Sequence, residues 1–392
     1  MSVSDCCEAG ARPRRESDRV GKYLAGRMGA FLFDELTEAY ISRQSLDIGF
    51  MRGVPVPFRK AGAAPEAAEG GATGEGAAPG GLPQGVAASE MAMNVAEALG
   101  IAPGFPYAAA YAEFLKRLLG DGAVAYLTGI AGAEAEAGEL ERACAHFRAA
   151  LCLAPDDLAA MYGYARACRD MYLRGGNADY VGSFKAESNE FFELLALRHE
   201  EFPEAHYYLG YAYLNLGLYQ KAHLSWKRFL KLSGGEGRVG PEGTAAEASE
   251  GGEPAARRLA KEREEVTERL RQLTVPIEIE RGCNAVLSGR LEEGAAALEP
   301  HLAGKYEDWW PLRYYLGMAY KGLGRDEDAV GMFKGVLRRK PSHVGAMEEL
   351  AALYDGLGDA AMSGKYRQKA ALVGGRVSME ASDEREETVN GQ

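Results

Sequence analysis

The sequence predicts an all-α fold, an array of antiparallel helix pairs, and two observations carry that prediction. First, YYLGYAYLNLGLYQKAHLSWKRFLKL (207–232) and YYLGMAYKGLGRDEDAVGMFKGVLRRKP (314–341) repeat one pattern. Each reads Tyr-Tyr-Leu-Gly, Ala-Tyr, Leu-Gly and an Ala, followed four residues later by Trp226 or Phe333. Second, the apolar positions recur at helical spacing and a central Gly ends the first helix, which gives two helices joined by a tight turn. One such pair cannot bury its apolar face alone; stacked neighbours can, so stability is a sum of pair and interface terms.

Composition bounds the rest. The chain has 392 residues, 47% of them hydrophobic, enough for a buried core. Asp and Glu number 57 against 45 Lys and Arg, a net charge of −12. That balance argues against a nucleic-acid partner, which would need a basic stripe to displace counterions. No apolar run approaches the ~18 residues of a membrane span, and the start MSVSDCCEAGARPRRESDR lacks the apolar block of a secretory signal. Six cysteines without CxxC spacing fit a reducing, cytoplasmic setting.

The repeated residues resemble the tetratricopeptide repeat, a helix–turn–helix unit of about 34 residues. In 310–343, Leu316, Gly317, Tyr320, Gly324, Ala329, Phe333 and Pro341 fall on that family's positions. In 203–236 the equivalents are Leu209, Gly210, Tyr213, Gly217, Ala222 and Trp226. Weaker copies occupy 124–157 (Ile130, Ala131, Gly138, Ala143, Phe147), 158–202 (Tyr164, Ala165, Cys168), 275–309 (Gly282, Ala285, Gly289, Leu298) and 344–377 (Leu350, Ala351, Tyr354, Gly358). The resemblance covers 124–374. It implies a right-handed solenoid whose halves, 124–232 and 274–374, are interrupted once.

The flanks are read from composition. Residues 1–20 and 375–392 are expected to be disordered, the latter an acidic tail. Residues 21–52 are expected to form an amphipathic helix, because Met28, Phe31, Leu32, Leu36 and Tyr40 follow helical spacing. An Ala/Gly/Pro linker follows over 53–88, and its core would span about 30 Å as a random coil. Helices within 89–123 should cap the first repeat. Residues 233–254 are expected to be a disordered insertion. After them, 255–273 should be a charged helix with Leu259, Val266, Leu270 and Leu273 on one stripe. That stripe fits a helix packed on the solenoid seam, or one projecting to pair with a partner.

No catalytic constellation stands out. Cys144 and His146 are two residues apart on one helix and point in different directions. Cys168 and Cys283 sit at interior positions, where a thiol is buried and inert. There is no HxxxH, HExxH or GxxxxGK[ST], so neither a metal, a cofactor nor an enzymatic role is expected.

The family resemblance implies that the first helices of successive repeats line a concave groove. Carried over, its contact positions are Tyr162, Arg166, Tyr207, Tyr211 and Asn215 in the first half, and Tyr314, Met318 and Lys321 in the second. Tyr recurs at one equivalent position, as Tyr162, Tyr207 and Tyr314; it serves recognition or fills the inner curve, and the sequence leaves both open. The lysine used by relatives that clamp a terminal carboxylate is absent: Thr128, Tyr162, Tyr207, Ile279, Tyr314 and Glu348 stand there. The expectation is a scaffold or adaptor that holds a peptide or helical segment of a partner protein. The alternative is a regulator whose N-terminal helix responds to ligand binding, with self-interaction of that helix with the array.

Overall fold

The structure, a computed structural model, describes residues 18–43, 47–60, 88–176, 178–234 and 255–387, with side chains for those up to 374 except 43, 178, 179, 255 and 256. The expectations for 1–17, 61–87, 235–254 and 388–392 lie outside the described residues. After a short N-terminal module the secondary structure of the described residues is helical: α3 (Ala88–Ile101), α4 (Ala108–Leu119), α5 (Ala123–Glu136), α6 (Leu140–Leu153), α7 (Leu158–Arg174), α8 (Ala178–Arg198), α9 (Pro203–Asn215), α10 (Tyr219–Leu232), α11 (Ala255–Gln272), α12 (Thr274–Leu287), α13 (Leu291–Leu298), α14 (Trp310–Gly322), α15 (Asp326–Arg339), α16 (Val344–Gly356) and α17 (Ala360–Glu387). The six repeats are the consecutive pairs from α5–α6 to α9–α10 and from α12–α13 to α16–α17.

Five of the six turns are built alike. Gly138, Gly217, Gly289, Gly324 and Gly358 have φ of 83°, 72°, 79°, 71° and 77°, a left-handed conformation that other residues adopt only under strain. In each, the residue after the glycine donates its N–H back to a helix carbonyl five positions earlier: Glu139 to Glu134, Leu218 to Tyr213, Arg290 to Ala285, Arg325 to Tyr320 and Asp359 to Tyr354, at 2.8–2.9 Å. This double-bonded stop satisfies the last helix carbonyls and reverses the chain. A second repeated device sets the helix spacing. A Cβ on Gly317 would meet the Phe333 ring at 2.9 Å, and one on Gly210 would overlap the Trp226 indole. Glycine is needed there because the aromatic of the second helix lies flat against the backbone of the first.

The chain divides into two compact units, Met1–Ala212 with Leu224–Val266, and Tyr213–His223 with Thr267–Gln392. In the first, Tyr111, Tyr164, Phe184, Phe192, Trp226 and Phe229 are fully buried. In the second, Ile279, Leu298, Leu312, Leu316, Phe333 and Leu350 form the core. Each such side chain stabilises its unit by roughly 1.5–3 kcal/mol through burial.

The N-terminal module departs from the expected helix over 21–52. It comprises α1 (Arg19–Leu24), a 3-10 segment Ala25–Ala30, β1 (Phe31–Glu35), α2 (Glu38–Arg43), a 3-10 turn Gly49–Met51 and β2 (Pro55–Arg59). β1 and β2 pair antiparallel, with Phe31 opposite Arg59, Phe33 opposite Pro57 and Glu35 opposite Pro55. The helical spacing was overridden by a partner strand about two dozen residues away, beyond the reach of any local window, and Gly26 and Gly29 weaken the helix before β1. β2 also shortens the linker expected over 53–88. Its prolines at 55 and 57 suit a strand that shares only one edge with a neighbour. Against the expectation of a disordered tail, α17 runs on to Glu387, since the run after Gly375 holds no Gly or Pro and is rich in charged helix formers.

Candidate functional site

α7 and α9 are first helices of adjacent repeats, and within the first unit they bring together Tyr162, Arg166, Tyr207 and Tyr211. The three tyrosines are linked through the ring of Tyr208. Tyr162 lies 6.2 Å from Tyr208, Tyr208 lies 5.2 Å from Tyr207, and Tyr207 lies 5.2 Å from Tyr211. Tyr211 is edge-on to Trp226 at 5.0 Å, and Tyr207 leans on Phe229 at 5.3 Å, so the ladder is anchored in the core. Guanidinium groups cover part of it: Arg166 lies 5.6 Å from the Tyr162 ring and Arg169 lies 5.3 Å from Tyr208. Tyr162 is only 8% exposed, packed edge-on to Phe202 at 5.1 Å, and is a filler of the inner wall. Tyr207 and Tyr211 are half-buried and face outward from it.

The face they form is faced by α11. Tyr211 Oη donates to Glu265 Oε1 at 2.5 Å. Burial, with Glu265 and Glu262 beside it, raises the Tyr207 hydroxyl above its usual range against the opposing pull of its hydrogen bond with Tyr211, so the hydroxyl stays protonated at neutral pH. Arg258 is held by Glu262 at 3.0 Å and stands within electrostatic reach of Tyr162, Tyr208 and Arg166. Arg263 Nη1 donates to the Leu230 carbonyl at 3.1 Å and to Ser233 Oγ at 2.9 Å, placing a cation on the carbonyl end of α10. Val266 is fully buried. Tyr208 and Arg258 were not singled out from the sequence, whereas Arg169 falls on a groove position of its repeat and Glu265 reads there only as part of a solvated acidic pair. Only the stripe on 255–273 hinted that α11 has a docking side.

The remaining candidates are placed separately. Asn215 is exposed at the end of α9. Tyr314, Met318 and Lys321 share α14 in the second unit. Tyr314 packs on Phe333 at 5.7 Å and His343 at 4.8 Å, Met318 is half-buried, and Lys321 Nζ bonds Glu349 Oε2 at 2.6 Å. At the end of that unit a groove of 520 Å³ runs between α16 and α17, lined by Val344, Ala351, Ala370 and Gly374 with Glu348 and Arg367 at its sides.

The N-terminal module docks elsewhere, on α3, α6 and α8. Glu97, 1% exposed, receives Arg27 at 3.0 Å and Arg59, with Arg142 at 3.9 Å. Arg148 joins Asp18, the Gly100 carbonyl at 2.6 Å and Tyr164 at 3.3 Å. The Tyr23 ring packs 5.4 Å from Phe184, and its hydroxyl donates to Glu141 at 2.7 Å. The N-terminal module thus packs on α3 and on the second helices α6 and α8, and among the described residues these contacts do not reach the tyrosine ladder. Cys144, Cys168 and Cys283 are buried free thiols, and burial pushes Cys283 up to about 12. Among the described residues no cluster of three or more His, Cys, Asp or Glu is placed to hold a metal, and no helix is long and apolar enough to cross a membrane.

No protein-family model matches the chain, and no curated protein does. Solved structures do. One is similar over 71% of this chain and 93% of its own, at 14% identity and TM-score 0.27: a tetratricopeptide repeat protein from Parabacteroides merdae ATCC 43184. A second is the TPR domain of P58(IPK), with 17% identity over 64% of this chain and 60% of its own, TM-score 0.32. A third is YrrB, described as a TPR protein with an unusual peptide-binding site, with 16% identity over 66% of this chain and 90% of its own, TM-score 0.23. In its helix pairs, its five equivalent glycine turns and its glycine–aromatic contacts, this chain resembles tetratricopeptide-repeat proteins.

Proposed function

We propose that this chain is a non-catalytic scaffold that binds a helical segment of another protein on the tyrosine-bearing first-helix face of α7 and α9. The observation that supports it most is α11: that face already receives a helix, through a tyrosine hydroxyl on a carboxylate and arginines beside the rings. Tyrosines offer large contact area and a polar tip with little rotamer loss, which suits recognition. The net charge of −12 favours protein over nucleic acid as the partner class. Free buried thiols accord with a reducing, cytoplasmic setting.

The test is affinity capture with chemical cross-linking, run on the whole chain and on the double variant Tyr207→Ala/Tyr211→Ala. The variant should stay helical and lose the cross-linked partners that the native chain retains. Retention of the same partners at the same yield would remove the face from the account.

A further inference from the structure

The held helix α11 is anchored unevenly, and that unevenness identifies the kind of partner the face takes. From Arg257 to Glu265 no side chain is buried: Leu259, Glu262 and Arg263 are half-covered, and the others are exposed. What fixes this half is polar, namely the exposed Tyr211–Glu265 bond and the part-buried Arg263 contacts at the end of α10. Full burial begins at Val266. Polar contacts that are exposed or only part-buried contribute little each, and no side chain of this half is buried, so the first half of α11 is the easiest helical segment of this face to lift. It is also chemically explicit. An arginine, a carboxylate two residues on, and an apolar residue next to that carboxylate present a cation to helix carbonyls, an acceptor to Tyr211 and a plug to the core.

We infer that the first half of α11 is an internal ligand of the tyrosine face, and that the partner is a helix carrying the same Arg-x-Glu-apolar pattern which binds by replacing it. The inference rests on the function proposed above. A ligand carried on the chain competes at a high effective concentration, so the face is guarded against helices that reproduce only part of the pattern. Aromatic rings and a single hydroxyl donor supply the attraction.

The probe is a labelled synthetic peptide of residues 255–272, titrated into the full chain by fluorescence anisotropy. Glu265→Ala removes the bond that holds α11 to Tyr211 while the peptide keeps its own carboxylate. This variant should bind the peptide about tenfold more tightly than the native chain, equivalent to ~1.4 kcal/mol. A peptide with Ala at that glutamate should lose the gain, and Tyr207→Ala/Tyr211→Ala should bind neither. Circular dichroism establishes that each variant is folded. If Glu265→Ala gains nothing while the double tyrosine variant still loses binding, the face takes helices and α11 is not its competitor. If the double variant binds as the native chain does, the proposed function falls as well. Failure of the peptide to bind any form overturns the internal-ligand assignment.

Discussion

Glu97 is the residue on which the N-terminal module turns. A carboxylate at 1% exposure is tolerated only because Arg27, Arg59 and Arg142 surround it. Glu97→Ala removes the anion the three share, leaving Arg27 to Glu141 and Arg142 to Glu134, at a cost of about 3 kcal/mol. We expect a lower urea midpoint for the first unit and faster proteolytic cleavage within 18–60, both measurable on the full chain. His343 makes a pH prediction. Its Nδ1 accepts the Ala346 N–H at 3.0 Å and caps α16, while burial, then Lys340, hold its pKa below the usual imidazole range. A group whose folded pKa is depressed stabilises above its unfolded value and loses that stability as pH falls through the folded one. Thermal stability of the second unit should thus decline as pH drops below ~6.5. His343→Asn, which keeps an N-cap acceptor without a proton to gain, should flatten that part of the profile. Neither residue stood out in the sequence, because a lone Glu among alanines and a lone His carry no spacing that reveals their partners.

At the scale of elements, the repeat's glycines separate by role. Gly210 faces Trp226, so Gly210→Ala must displace a fully buried indole and should cost about 1–3 kcal/mol despite alanine's helix preference. Gly129 lies in α5 with nothing within 4 Å of a Cβ, so Gly129→Ala should stabilise by up to ~1 kcal/mol. Opposite shifts in melting temperature would confirm that the glycine–aromatic contact sets the helix spacing. These helix pairs were legible from the sequence because turn glycine, helical period and aromatic recur at fixed offsets. β1 was not. Its apolar residues satisfy a helical period, and the strand that claims them carries two prolines and falls within the stretch that reads as linker. Local pattern records what a segment can be; pairing over a long loop decides what it is.

For the whole molecule, the array accounts for how the proposed partner face is assembled: stacking repeats aligns first helices and carries Tyr162, Tyr207 and Tyr211 to adjoining positions. The sequence placed those tyrosines on one face, since equivalent repeat positions must align. That α11 faces them was not readable, because amphipathic stripes do not name the surface they cover. The most direct measurement places a photo-reactive benzoylphenylalanine at position 211 of the full chain and maps its cross-links by mass spectrometry, with and without excess 255–272 peptide. The account predicts intramolecular cross-links to residues 262–266 that give way to cross-links on the added peptide. Cross-links to neither, or to the N-terminal module instead, would contradict it.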